Sequence, residues 1–210
     1  IVLQLTWRDV TQKYRKSKLG LVWSIMEPLA FLSVLYVVFG IGLRGGRQMQ
    51  MPFILYLVTG LAVITFFNQT MNDGAKAVTK HSYLLRKMGF NMEVLPMVTV
   101  LSGLVNHLFF MIPAIGLILV HGIFPSVSWL QMFYYAFSLV ALLLGVTLFT
   151  SSVGVFIPDL NHVVSVLGRV LFYFSPIIWD YSLIPDSLQR WVKLNPLFYP
   201  VMGYRDAFFY

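Results

Sequence analysis

The sequence predicts an all-α integral membrane protein, and three observations predict it. Of its 210 residues, 58% are hydrophobic and 11% are charged, whereas a soluble domain carries about 25% charged residues. The apolar residues gather into long runs at 19–43, 52–72, 94–120, 129–157 and 163–179. At 1.5 Å per residue, about 20 of them cross a hydrocarbon layer of roughly 30 Å. Finally, a basic, polar segment passes into the first run without a linker. The 210 residues thus predict a single transmembrane domain with an interface helix over 1–18 and five visible spans.

The interface helix rests on spacing. Leu3, Trp7, Val10 and Tyr14 recur at helical intervals, with Gln4, Arg8, Gln12 and Arg15 on the other side, the pattern of a helix lying along a bilayer surface. Arg8, Lys13, Arg15, Lys16 and Lys18 stand against Asp9 in this stretch. Basic residues flanking a first span place that end in the cytoplasm. Arg8, Arg15 and Lys16 are candidates for the entrance of an anionic lipid headgroup. The chain opens on Ile1, and a few residues are expected before it.

The first run holds one charge, Glu27, just before Pro28. A partner Lys or Arg would account for it, as would a part in gating. Arg44-Gly45-Gly46-Arg47 predicts a turn, and the run 52–72 returns to the cytoplasm. Residues 74–93 then carry Lys76, Lys80, His81, Arg86 and Lys87 with few acids, as a cytoplasmic loop containing a short amphipathic helix would. The third run is interrupted by Asn106 and His107, which predict hydrogen bonds between helices or contact with substrate. After an external turn at 121–126, the fourth run offers Ala141 and Gly145 as a small-residue face for close helix packing.

The fifth run carries Arg169, placed to face a cavity, to snorkel to headgroups or to meet a lipid pyrophosphate. Residues 180–200 contain Pro185, Pro196 and Pro200. They are too broken to span and too apolar for a solvated loop, which predicts a re-entrant outer segment covered by protein. Trp23, Trp129, Trp179 and Trp191 mark run ends, as an interfacial belt does. Tyr36, Phe172, Tyr173 and Phe174 lie inside runs, where either packing or stacking on sugar faces would use them.

The chemistry of catalysis is missing from the pattern. No Walker A loop, H-E-x-x-H, G-x-S-x-G or paired metal-ligand set occurs, so an enzyme and a metal site are not expected. Without Cys there is no disulfide. The net charge of +7 lies beside apolar runs, which favours membrane lipid or an anionic lipid-linked substrate over nucleic acid.

The junction also carries a resemblance. Tyr14-Arg15-Lys16-Ser17-Lys18-Leu19-Gly20-Leu21-Val22-Trp23-Ser24, followed by Glu27-Pro28-Leu29, resembles the start of ABC-2 type permeases that export polysaccharides, teichoic acids and O-antigens. Leu194-Asn195-Pro196-Leu197 and Gly203-Tyr204-Arg205-Asp206 resemble the same family. The resemblance implies a homodimer joined to two ABC ATPase subunits, which bind the ATP and Mg, and a lipid-linked glycan as substrate in the bacterial cytoplasmic membrane. It implies a channel lining for Tyr36, Phe172, Tyr173 and Phe174. It also implies an ATPase-coupling helix at Lys80, Tyr83, Leu84, Arg86 and Lys87, and a sixth span starting near Gly203. Two rivals stay open: an ABC-2 exporter of a small drug or lipid, and a secondary transporter.

Overall fold

The computed structural model describes residues 2–14, 17–43, 51–81 and 91–210, and no strand occurs among them. The elements are α1 (Val2–Tyr14), α2 (Trp23–Leu35) continued by a π-helical stretch (Tyr36–Leu43), α3 (Phe53–Ala75), the single turn α4 (Ala77–Lys80) and α5 (Val94–Val120). After a 3₁₀ turn (Val127–Leu130) come α6 (Gln131–Gly154), α7 (Leu160–Phe174), α8 (Asp186–Lys193) and α9 (Phe198–Phe209). Among the described residues, four stretches are long and apolar enough to cross a membrane: Trp23–Gly42, Phe53–Ala75, Val94–Val120 and Val127–Gly154. These coincide with the first four sequence runs.

The fifth run departs from expectation. Its helix α7 ends at Phe174 after 15 residues, about 22 Å at the helical rise and short of the roughly 30 Å layer. The cause is local. Ser175 has extended backbone and Pro176 follows it, and the residue before a proline is pushed out of the α region. The segment beyond turns through Tyr181–Leu183 and α8, and α9 starts at Phe198, five residues before Gly203. The expected turn at Arg44–Arg47 lies outside the described residues.

Helix α3 is the axis of the bundle. Its residues Leu55, Leu57, Val58, Leu61, Ala62 and Val63 are fully buried, and α5, α6, α7 and α9 all pack on it. Close approach is made by glycines. A Cβ on Gly74 would collide with Thr147, one on Gly103 with the Thr70 hydroxyl, and one on Gly203 with the Tyr135 ring. Among the described residues, the small-residue face expected at Ala141 and Gly145 takes no such part. Both are exposed, and a Cβ on Gly145 would meet nothing within 4 Å.

Helix α1 has three faces where spacing suggests two. Thr6 and Val10 are buried against α5, with Ser102 Oγ donating to the Thr6 carbonyl at 3.3 Å. Leu3 and Trp7 are exposed, as are Gln4, Arg8 and Gln12. The former suit lipid and the latter water. The elbow into α2 explains the motif that follows. Ser17 Oγ accepts from the Leu19 amide at 3.3 Å and from Trp23 Nε1 at 2.8 Å. Gly20 takes φ +51°, a left-handed turn that glycine adopts without a Cβ penalty.

The far end of the bundle is held by polar pins. Arg205 is 2% exposed, donates to the carbonyls of Pro176 (2.6 Å) and Tyr56 (3.3 Å), and lies 3.4 Å from the Tyr56 ring centroid. The Tyr56 hydroxyl donates to the Trp179 carbonyl at 2.7 Å. Asn195 donates to Ser175 Oγ at 2.9 Å and accepts from the Leu197 amide at 2.9 Å. The irregular segment thus has its backbone groups tied to α3 and α9, a condition for non-helical backbone at membrane depth.

Candidate functional site

A cavity that gathers several of the predicted site residues lies between α2, α3, α5 and α7. It encloses about 450 Å³. Phe31 from α2, Phe66 from α3, Phe110 from α5, and Phe172 and Tyr173 from α7 give it an aromatic wall. Glu27, Asn68, Gln69, Asn106 and Arg169 supply polar groups at intervals along it. The Phe31 and Phe172 rings face each other across the α2–α7 side at 6.1 Å between centroids.

Sequence and local structure explain how the wall is set. Pro28 lies within α2, where it removes one backbone donor from the helix. Gly168 lets α7 lie against α3, since a Cβ there would fall 2.6 Å from Asn68 Oδ1. Ser165 Oγ donates to Asn72 Oδ1 at 2.6 Å and fixes the same pair of helices one turn away. With the α7 backbone so placed, Arg169, Phe172 and Tyr173 fall on the cavity side.

The polar groups divide by their partners. His107 is buried and belongs to the framework. Its Nδ1 meets the Ala62 carbonyl at 3.1 Å and its Nε2 meets the Tyr204 hydroxyl at 2.9 Å. A carbonyl only accepts, so Nδ1 of the neutral ring carries the proton and Nε2 accepts from Tyr204. His107 therefore ties α5 to α3 and α9, the helix-to-helix role its sequence position predicts. Its neighbour Asn106 differs. The Oδ1 atoms of Asn106 and Asn68 are buried without a hydrogen-bond partner among the described residues, and that of Asn68 lies against Gly168 of α7.

Of the residues expected to line a channel, Phe172 and Tyr173 line this cavity. Tyr36 packs on the hydrophobic core instead. Phe174 lies on a second, apolar hollow of about 500 Å³ with Trp179, Leu183, Leu188 and Trp191. Of the residues expected at a substrate entrance, Arg169 lines the cavity, with its Nε 3.4 Å from the Ser165 carbonyl. Arg8 is exposed on α1, apart from the cavity, and Arg15 and Lys16 lie outside the described residues. The expected partner of Glu27 is not found. It is exposed and has no ion pair among the described residues.

The expected coupling residues Tyr83, Leu84, Arg86 and Lys87 lie outside the described residues. Lys80, just before them, is described. Its Nζ forms an ion pair with Asp9 of α1 at 2.8 Å, and His81 Nε2 stands 3.9 Å from the same carboxylate. The interface helix is thereby joined to the end of α4, just before residue 82. Beside this pair is a third hollow of about 530 Å³, bordered by Asp9, Gln12, Thr70, Asp73, Lys80, Thr99, Ser102, Gly103 and Asn106.

Sequence reasoning passed over Asn68, Gln69, Phe31, Phe66 and Phe110 as site residues. Polar residues at the end of an apolar run look like a helix terminus, and no local signal separates Asn68 from Asn72. It also gave no role to Arg205, although an arginine beside aromatic residues near an irregular segment is a sign of an internal pin.

Comparison with known proteins agrees with this architecture. Residues 2–209 match the ABC-2 type transporter family. The chain is 29% identical over 212 residues to the O-antigen export system permease protein RfbA of Klebsiella pneumoniae, covering 99% of this chain and 80% of that protein. It is 26% identical to the RfbA permease of Myxococcus xanthus, covering 100% and 80%. It is 27% identical to the polysialic acid transport protein KpsM of Escherichia coli, covering 95% and 78%. The matched residues run through all four long apolar helices, the elbow and the pinned far segment, and the chain belongs to the ABC-2 type transporter family.

Proposed function

We propose that this chain is the membrane-spanning permease of an ATP-driven exporter that moves a lipid-linked polysaccharide across a bacterial cytoplasmic membrane. The observation that carries the reading is the near-complete alignment with permeases named for O-antigen and polysialic acid export. The cavity supports it. Aromatic rings give broad apolar contact to sugar faces without fixed hydrogen bonds, and interspersed amides can exchange bonds with successive hydroxyls. Such a surface holds a glycan weakly at many places, which suits passage.

In this reading ATP is hydrolysed by two separate ABC ATPase subunits with their Mg, and the chain works as a homodimer with α1 on the cytoplasmic side. The apolar faces of α2 with its π-helical continuation and of α7, including Val34, Val37, Val166 and Val170, are exposed beside the cavity. They suit lipid or a second copy equally in a bilayer, because lipid tails are as apolar as these side chains. Tyr83 and Leu84 enter a groove on the ATPase, and Lys80, Arg86 and Lys87 lie at its rim. Burying carboxylates there is unfavourable, so changing Tyr83 and Leu84 together to Asp should abolish co-purification with the ATPase or uncouple hydrolysis from export.

Deleting the gene for this chain in its own host tests the substrate. Lipid-linked glycan should then accumulate on the cytoplasmic face of the membrane. Unchanged surface glycan with raised drug sensitivity would instead select the drug exporter. The elements common to both readings are the membrane bundle and its ATPase partner.

A further inference from the structure

At the far end of the bundle, α8 is sharply amphipathic. Val192 is buried against its neighbours, and Gln189 Nε2 donates to the Ile184 carbonyl at 3.0 Å, which together fix the helix about its axis. Leu188, Trp191 and Leu194 are thereby left exposed, beside the exposed Phe174 and Leu183 on the apolar hollow of about 500 Å³. In the orientation proposed above this hollow opens to the outer leaflet, where an apolar groove under an interfacial helix takes an acyl chain. Trp191 and Leu194 also border a second hollow, completed by Asp186, Ser187 and Arg190 of the same helix. Tryptophan at such a boundary marks headgroup level.

The charges on this rim select the headgroup. Asp186 and Arg190 are exposed one helical turn apart, a spacing that puts their Cβ atoms about 5–6 Å from one another, and no ion pair joins them among the described residues. Asp186 Oδ1 accepts from Gln189 Nε2 at 3.0 Å, with Oδ2 remaining. The other cation of the helix, Lys193, lies over the Tyr181 ring at 5.8 Å. One anion beside one cation matches a zwitterion. A guanidinium pairs with phosphate in a bidentate fork, and a carboxylate accepts from a primary ammonium, which has three N–H donors where a quaternary one has none. A purely anionic headgroup would meet Arg190 but be repelled by Asp186. We propose that α8 binds a phosphoethanolamine-headed membrane phospholipid, with its phosphate at Arg190, its ammonium at Asp186 and one acyl chain passing Trp191 and Leu194 into the apolar hollow. This lipid is a resident ligand of the outer segment and not the cargo, and the proposal takes only the membrane orientation from the reading above.

The test places the full chain in mixed micelles with phospholipids that share one diazirine-bearing acyl chain and differ in headgroup: phosphoethanolamine, phosphocholine or phosphoglycerol. After illumination, the labelled residues are mapped by peptide mass spectrometry. The phosphoethanolamine lipid should label residues 183–194 roughly fivefold more than the other two at equal, subsaturating concentration, the discrimination of one exposed charged contact. Asp186→Asn should bring it to the level of the phosphocholine lipid, and Asp186→Glu should restore the preference. Arg190→Gln should lower labelling by both zwitterionic lipids. Labelling of Phe133 and Phe137, exposed on α6, should depend on neither headgroup nor variant and reports that each variant is folded.

Equal labelling of residues 183–194 by the three lipids, a stronger signal from the phosphoglycerol lipid, or a preference that survives Asp186→Asn would each overturn the proposal. So would the absence of lipid labelling there, which would give this face to another protein surface. The measurement involves no transport, so a chain that exports glycan but shows no headgroup preference keeps the export reading and loses this one.

Discussion

Two spans of similar length have opposite surroundings. In Phe53–Ala75, 78% of the apolar window is buried inside the chain, whereas in Trp23–Gly42 the share is 11%. Both are apolar, so composition alone does not distinguish an axis from a wall. In water the second helix would be a liability, but in lipid its exposed valines lose nothing. The contrast assigns them separate work. The Phe53–Ala75 helix fixes the positions of its neighbours, and the Trp23–Gly42 helix closes one side of the aromatic cavity with little holding it in place.

Substitutions that test this contrast should differ in size. Gly74→Leu, on the buried helix against Thr147, should cost about 3 kcal/mol by overpacking. Gly145→Leu, where a side chain meets nothing within 4 Å, should stay within about 0.5 kcal/mol. Loss of monodisperse protein on heating in detergent reads both. Equal losses would mean that the exposed face of α6 is packed against something in the working assembly.

Arg205→Leu should come next, at about 2–3 kcal/mol, because it leaves the Pro176 carbonyl without the Arg205 donor and removes the guanidinium from the Tyr56 ring. Protease cleavage between Pro176 and Pro196 should then accelerate more than cleavage elsewhere. Gly20→Ala should cost about 1–2 kcal/mol for a left-handed residue with a Cβ, seen as weaker protection of the elbow in amide exchange. Asp9→Asn should have a smaller effect than these, below about 1 kcal/mol and shrinking with salt. Its partner Lys80 is half exposed, and solvent screens such pairs.

How much of this was legible in the sequence follows from the range of each interaction. The four long helices were legible because hydropathy is a local property, and so was the helical start at residues 2–14. The elbow motif was visible as a pattern, but the bonds from Leu19 and Trp23 to Ser17 that explain it need coordinates. Ala141 and Gly145 were legible only as a candidate packing face for the same reason. Small residues permit close packing without saying which helix arrives, and the glycines in use are Gly74, Gly103, Gly168 and Gly203.

The candidate site was legible in part. Arg169, Phe172 and Tyr173 share a helix face, so one correct turn of α7 brings all three to the cavity. Tyr36 and Phe174 were grouped with them by residue type alone, and each faces other surroundings. Asn106 and His107 are adjacent in sequence and opposite in role, because successive helical residues point about 100° apart. Only the partners across the bundle, Ala62 and Tyr204, reveal which one is structural.

The most direct measurement asks whether the aromatic cavity carries the glycan. The absence of Cys permits a Phe31→Cys/Phe172→Cys double variant, with thiols on the two helices whose rings meet across the α2–α7 side. A short bismaleimide then bridges α2 to α7 in cells where glycan export is followed. Export should stop in the bridged double variant and continue in each single variant treated alike. Bridged protein that exports glycan at the unmodified rate would contradict the account and place the path elsewhere in the bundle.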